Sequence, residues 1–151
     1  MIRKINRFDY EEILDIMLDF ADATHMKGFQ RDEYDREGAK KVLLRCEVGG
    51  ISLCSTTETG EIQGVILSLR DRDIWIPDIV RLRELAWWVK PEYRNTTVGA
   101  RLFHAYQKEA EKLQKAGEIT SYTMSKMDIS PDFDYEKRGF RFLESTYIAG
   151  E

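Results

Sequence analysis

Residues 84–102 read ELAWWVKPEYRNTTVGARL. A hydrophobic run, Val80 to Val89, stops at Pro91, which cannot extend a strand ladder. A short polar loop follows, Arg94-Asn95-Thr96-Thr97-Val98-Gly99. It opens the best helix in the chain, Thr97 to Lys115, where Val98, Leu102, Ala105, Tyr106, Ala110 and Leu113 share one face. Gly117 closes that helix. The first amides of a helix have no internal partners, and its dipole places partial positive charge there. A strand, a turn of small and polar residues and then a helix is therefore suited to holding phosphate oxygens on backbone N–H groups. Gly99 lets a ligand approach the backbone, and Arg94 adds fixed charge at the mouth.

Working outward, a second signal lies about 35 residues on, in Tyr135-Glu136-Lys137-Arg138-Gly139-Phe140. Ser130-Pro131-Asp132 reads as a helix start, with Ser at the N-cap and Pro at N1. Gly139 reads as a left-handed stop, and Phe140 to Ile148 as a last strand. Ile119 to Met124 is a β-rich run between the two motifs. Toward the N-terminus, Met1 to Ile5 alternates weakly as a strand. Phe8 to Thr24 and Asp32 to Arg45 read as helices, with Asp9 an N-cap or first-turn acid of the first. Tyr34, Val42 and Leu43 or Leu44 face inward from the second. Ile51 to Thr57 and Ile62 to Leu69 form a hairpin. The order is β-α-α-β-β-β-α-β-α-β in one domain, 1–151, and its second half requires a parallel pair within a mixed sheet.

Composition excludes several classes. Of the 151 residues 42% are hydrophobic and 33% charged, which is neither disordered nor membrane-spanning. No apolar run is long enough for a span, and the N-terminus has no leader-like apolar stretch, so a cytoplasmic protein is expected. Cys46 and Cys54 read as reduced thiols. The 23 basic and 27 acidic side chains are spread evenly over the two halves, which argues against a nucleic-acid surface. The first helix holds six acids (Asp9, Glu11, Glu12, Asp15, Asp19, Asp22) and no Lys or Arg: a solvated face, or a rim attracting a cationic substrate. His25 and His104 are too few and too far apart for a metal site.

Val89-x-Pro91-x-Tyr93-Arg94, then Val98-Gly99-Ala100 opening a helix, then Tyr135-x-x-x-Gly139-Phe140, resembles the GNAT acetyltransferase superfamily. The element order matches over almost the whole chain. The resemblance implies a mixed, mostly antiparallel sheet of about six strands flanked by about four helices. It implies an acetyl-CoA-dependent N-acetyltransferase working by direct transfer in a ternary complex. The acceptor is a small-molecule or protein amine, and dimerisation through the late strands is common in the superfamily. The family's pyrophosphate loop corresponds to Arg94, Asn95, Thr96, Thr97, Val98, Gly99 and Ala100. Thr97 replaces a family glycine, and a β-branched residue there resists positive φ. Main-chain groups near Trp87, Trp88 and Val89, on a strand that splays from its neighbour, would hold the thioester carbonyl and pantetheine arm. Tyr135 matches the tyrosine that can protonate the departing thiolate.

The chemistry also needs a base. Glu84, two residues from Ala86 in strand phase, is either that base or the salt-bridge partner of Arg81 or Arg83. Ser125 and Asp128 could face the cofactor. Trp87 and Trp88 must point to opposite faces. Phe29, Tyr34, Trp75 and Asp78 are candidate acceptor contacts. Two other readings compete. One is a GNAT-like module that binds CoA or a partner without turnover, favoured by Thr97 and by the unsettled identity of the base. The other is a nucleobase-modifying relative, which would require a positive groove at Arg70, Arg72, Arg81 and Arg83.

Overall fold

Residues 1–24 and 31–150 are described by a computed structural model. Five strands form one sheet in chain order: β1 (Ile2–Lys4), β2 (Leu53–Thr56), β3 (Ile62–Arg72), β4 (Val80–Val89) and β5 (Ser121–Thr123). The first three pairings are antiparallel and β4–β5 is parallel, so the sheet is mixed and mostly antiparallel, as expected. Three α-helices flank it: α1 (Tyr10–Ala23), α2 (Arg36–Gly49) and α3 (Val98–Lys115). None of the described helices is long and apolar enough to cross a membrane.

Strand alternation divides the core between the two faces of the sheet. Val65, Leu67 and Ala86 pack with Ile13, Leu14 and Ile16 of α1 and Leu43 of α2. Ile66 and Leu82 face the other way, against Leu102, Tyr106 and Ala110 of α3. Leu102 is wholly buried there, a burial that contributes roughly 1.5–3 kcal/mol. The apolar stripe read in the sequence of α3 is thus the one that seats the helix. In α2 only Leu43 of the expected aliphatic trio is inward; Val42 and Leu44 are exposed. That helix starts at Arg36 rather than Asp32 because the Asp35 carboxylate caps it, accepting from Gly38 N–H at 2.8 Å. Asp9 precedes α1 without capping it. Its carboxylate instead takes Asn6 N–H and the Arg3 guanidinium.

The late elements differ from expectation, giving five strands and three helices among the described residues rather than six and four. Ser130 does not start a helix. Its hydroxyl accepts Met127 N–H at 2.9 Å and its own N–H returns to Met127 O, which closes a turn. A single 3-10 turn, Glu136–Arg138, follows. Phe140 to Ile148 forms no strand, and Phe142, Leu143, Tyr147 and Ile148 are exposed. A strand exists by pairing, and an apolar run with β propensity stays irregular without a ladder partner.

One local irregularity decides the site. Leu67 pairs with Ala86 but Ser68 pairs with Glu84, so Leu85 is an extra residue in β4. Such a bulge reverses the side-chain phase. Ala86 and Trp88 turn toward α1 and α2, while Leu82 and Trp87 lie on the α3 face. Glu84 is therefore on the α3 face, and its expected phase match with Ala86 is corrected.

Candidate active site

The open edge of β4 defines the site. β5 pairs only with Arg81, Leu82 and Arg83. From Glu84 onward β4 is paired on the β3 side alone, because β5 ends at Thr123. Lys90 N–H donates to Gln63 O at 3.0 Å. Antiparallel alternation then turns the N–H and C=O of Trp87 and Val89 away from β3, toward the open side. Val89 O accepts there from Arg94 Nε at 3.0 Å. The adjacent tryptophans do point to opposite faces. The Trp87 ring packs on Phe103 and Phe133, with centroids 5.4 and 5.3 Å away. Trp88 meets the edge of Phe20 at 5.4 Å and lies under the Arg94 guanidinium at 4.3 Å.

The turn after β4 is built by short-range polar contacts. Thr96 Oγ1 donates to Tyr93 O at 2.6 Å and accepts from Val98 N–H at 3.3 Å. Thr97 is the N-cap of α3 with φ −81°, an ordinary right-handed value. Its β-branch is unstrained, so replacing the family glycine costs the backbone nothing. A Cβ on Gly99 would lie 3.6 Å from Val89 Cγ2 and 3.8 Å from Trp87 Cζ2, which is ordinary contact. Packing therefore does not demand glycine, and the space above it is available to a ligand. Among the described residues, no acceptor meets the N–H groups of Thr97, Gly99 and Ala100. Together with Arg94 and the helix dipole they fit a pyrophosphate. Asn95, Thr96, Thr97 and Ala100 are exposed beside them. Val98 is the exception among the expected contacts: its side chain is buried and its N–H is already used.

Glu84 is a buried carboxylate with no cation. Arg81 pairs with Asp73 at 2.6 Å and Arg83 with Asp71 at 3.4 Å, so the salt-bridge alternative for Glu84 is not realised. Its Oε2 accepts Ser125 N–H at 3.1 Å. Burial pushes its pKa up to about 7, against the smaller downward pull of that amide. Tyr135 stands in an aromatic group with Phe133, Phe140 and Phe103, at 4.8, 5.8 and 6.4 Å. Burial first, and then the nearby negative charge of Glu84, push its phenol up to about 12. Gly139 is left-handed (φ 87°), which lets Phe140 N–H return to Tyr135 O at 3.1 Å. Gln107 Nε2 donates to Arg138 O at 2.9 Å and ties this turn to α3. Glu84 and Tyr135, 51 positions apart in the sequence, are thus brought within electrostatic reach of each other.

Other candidates fall elsewhere. Trp75 is 89% exposed at the tip of the β3–β4 hairpin. Its N–H is held by Asp73 at 2.9 Å. Tyr34 packs at the margin of the α1–α2 core. Asp128 accepts Ile129 N–H, and Ser125 contributes its amide to Glu84. His104 is exposed, whereas His25 and Phe29 lie outside the described residues. The acids of the first helix are each engaged: Asp9 with Arg3, Glu11 and Asp15 with Arg36, Glu12 with Lys90, Asp19 and Asp22 with Arg31. That removes the rim of unpaired acids. Arg70 is paired with Glu118, and Arg72 donates to Pro77 O. With Arg81 and Arg83 also paired, three of the four arginines on which a nucleobase-modifying reading drew have carboxylate partners. Burial raises both Cys46 and Cys54 to about 11, which makes them poor nucleophiles. Among the described residues no group of His, Cys, Asp and Glu could hold a metal ion. Ser68 and Tyr106, both buried, join Glu84 on the α3 face. Tyr106 was legible in the sequence only as one more apolar position of α3.

No family model and no curated protein matches the chain. Solved structures do. A possible acetyltransferase from Clostridium difficile 630 is 20% identical with a TM-score of 0.72, the match covering 100% of this chain and 96% of that one. A GNAT family acetyltransferase from Staphylococcus aureus subsp. aureus USA300_TCH1516 is 17% identical, with a TM-score of 0.64 and coverage of 99% and 97%. An aminoglycoside acetyltransferase from an uncultured soil metagenomic sample, solved with sisomicin, is 14% identical, with a TM-score of 0.64 and coverage of 99% and 96%. The chain has the fold of the GNAT acetyltransferases.

Proposed function

We propose that this chain is an acetyl-CoA-dependent N-acetyltransferase that moves an acetyl group directly to an amine within a ternary complex. The observation that carries the proposal is Glu84: a buried carboxylate without a cation, just past the last β5 pairing of β4 and within electrostatic reach of the phenol of Tyr135. Acetyl-CoA, when bound, supplies an acetyl group activated as a thioester. The N–H groups of Thr97, Gly99 and Ala100, with Arg94, hold the pyrophosphate. The outward N–H groups of Trp87 and Val89 are donors for the arm and the carbonyl.

An amine is protonated near neutrality and must lose a proton before it attacks. A carboxylate with a pKa of about 7 is matched to that task at physiological pH. Tyr135 Oη, less acidic than a free phenol, stays protonated in the resting state and becomes a better donor to the departing thiolate once Glu84 has taken the amine proton and lost the charge that raises it. Proximity within one complex supplies the rest of the rate. The reading of a CoA-binding module without turnover drew on Thr97 and on the open choice of base; the negative φ of Thr97 takes the first support away, and the Glu84 variant tests the second.

Calorimetric titration with acetyl-CoA, with CoA and ATP as controls, tests the cofactor. Micromolar or tighter binding of acetyl-CoA and CoA but not ATP is expected. In Gly99→Trp the indole fills the turn and binding is expected to vanish. Equal affinity for CoA in the two proteins would refute the placement of the pyrophosphate. An amine panel, read by thiol release, then identifies the acceptor.

A further inference from the structure

Ser68 and Glu84 are direct register partners across β3 and β4, so their side chains stand next to each other on the α3 face of the sheet. Tyr106 of α3 packs over the same layer and is 0% exposed. Its hydroxyl has no hydrogen-bond partner. Ser68 Oγ donates to Ile51 O at 2.6 Å and accepts Ile51 N–H at 2.9 Å, and it lies beside the Tyr106 hydroxyl without a bond of proper geometry. Glu84 has used one oxygen, on Ser125 N–H. A buried hydroxyl donor without an acceptor and a buried carboxylate with a spare oxygen therefore share one apolar layer. Native cores rarely leave such a donor unanswered.

We infer that Tyr106 is a positioning residue for Glu84: its buried hydroxyl, unbonded in the structure, turns to donate to the Glu84 carboxylate when that carboxylate is charged and accepts from it once it is protonated. A phenol can do both, which a lysine or a backbone amide cannot. Tyr106 thus holds the same carboxyl group before and after proton uptake. The Tyr106 phenol is itself driven up by burial and by the Glu84 charge, so it stays protonated and never competes as a base. The groups that face Glu84 are the Ser125 amide beyond β5, Ser68 from β3, Tyr106 from α3 and Tyr135 from the turn before Gly139. No Lys or Arg among the described residues pairs with it.

This inference rests on the reading of Glu84 as the base, but its test does not need turnover. The Glu84 carboxyl is followed by carbon-13 NMR from pH 4 to 10 in the wild type and in Tyr106→Phe, with Glu84→Gln to assign the signal. Loss of a donor to the charged form raises a carboxyl pKa, here by roughly one pH unit. The acid limb of the pH–rate profile moves up by the same amount. Turnover at pH 7 falls about fivefold and recovers by pH 9, a pattern that a packing defect does not produce. An unchanged or lowered midpoint in Tyr106→Phe overturns the inference. A raised midpoint in a protein that turns over no amine leaves the Tyr106–Glu84 pair standing and removes the enzymatic reading instead. The substitution keeps the buried ring in its packing against Ile66, Leu82 and Leu102, so Tyr106→Phe is expected to fold.

Discussion

Six carboxylates in the first helix and one carboxylate in β4 had opposite fates. The helix acids looked like a functional surface because no basic residue lies among them in sequence. Yet Arg3, Arg31, Arg36, Lys40 and Lys90 reach them from other elements. Glu84 looked already neutralised, with Arg81 and Arg83 beside it in the chain, yet both arginines are taken by aspartates of the facing hairpin arm. Strand geometry explains the second case. Arg83 is next to Glu84 and so projects to the other face, and the bulge at Leu85 fixes Glu84 under α3. Exposed charges that find partners contribute little. The charge left alone in a dry layer is the one with altered proton chemistry.

Substitutions can break this contrast. Glu84→Gln is expected to lower turnover at pH 7 by 100-fold or more, on the order of a lost general base, with acetyl-CoA affinity unchanged in the same calorimetric titration. Turnover within twofold of wild type would move the base elsewhere. The same variant sharpens the comparison through stability. The Glu84 carboxyl titrates at an ordinary 4.5 when unfolded and at about 7 in the fold. Between those values the folded state binds more protons, so wild-type stability falls as pH rises and levels off above 7. Glu84→Gln escapes that loss. Its stability relative to wild type should rise by up to about 3 kcal/mol from pH 4 to pH 8 in urea melts. A gap that does not change with pH would mean that Glu84 titrates normally.

Tyr135→Phe is expected to reduce turnover about tenfold at neutral pH without changing acetyl-CoA affinity, since only a proton donor is lost. Equal turnover would assign thiolate protonation to water. The smallest effect belongs to the helix acids. Glu11→Gln removes one exposed partner of Arg36 and Lys40. Exposed pairs count for little, so neither the melting midpoint nor turnover should change. A loss of turnover would restore that face as an acceptor site.

Much of this was legible from residue order. β4 spans Val80–Val89 as read, and α3 begins within one residue of the expected start. Strong periodicity and a proline stop made those elements local properties. Gly139 was legible because a left-handed helix stop selects glycine. The missing last strand was not legible, because residues 140–148 carry strand composition but pairing belongs to the partner edge. Nor was the side of the sheet that Glu84 faces, since a bulge inserts one residue without a local signature and reverses everything beyond it. The pairing of the helix acids was likewise settled by residues up to 78 positions away, as with Lys90 and Glu12.

The stacking of Arg94 on Trp88 has an optical consequence. An indole under a guanidinium, with its Nε1 buried and without an acceptor, sits in a distinctive electrostatic field. An anion that draws Arg94 toward the α3 amides changes that field. Trp75, in full contact with solvent at a hairpin tip, emits as a constant background. Intrinsic fluorescence therefore reports occupancy of the turn without any label, and Trp88→Phe identifies the source of the signal.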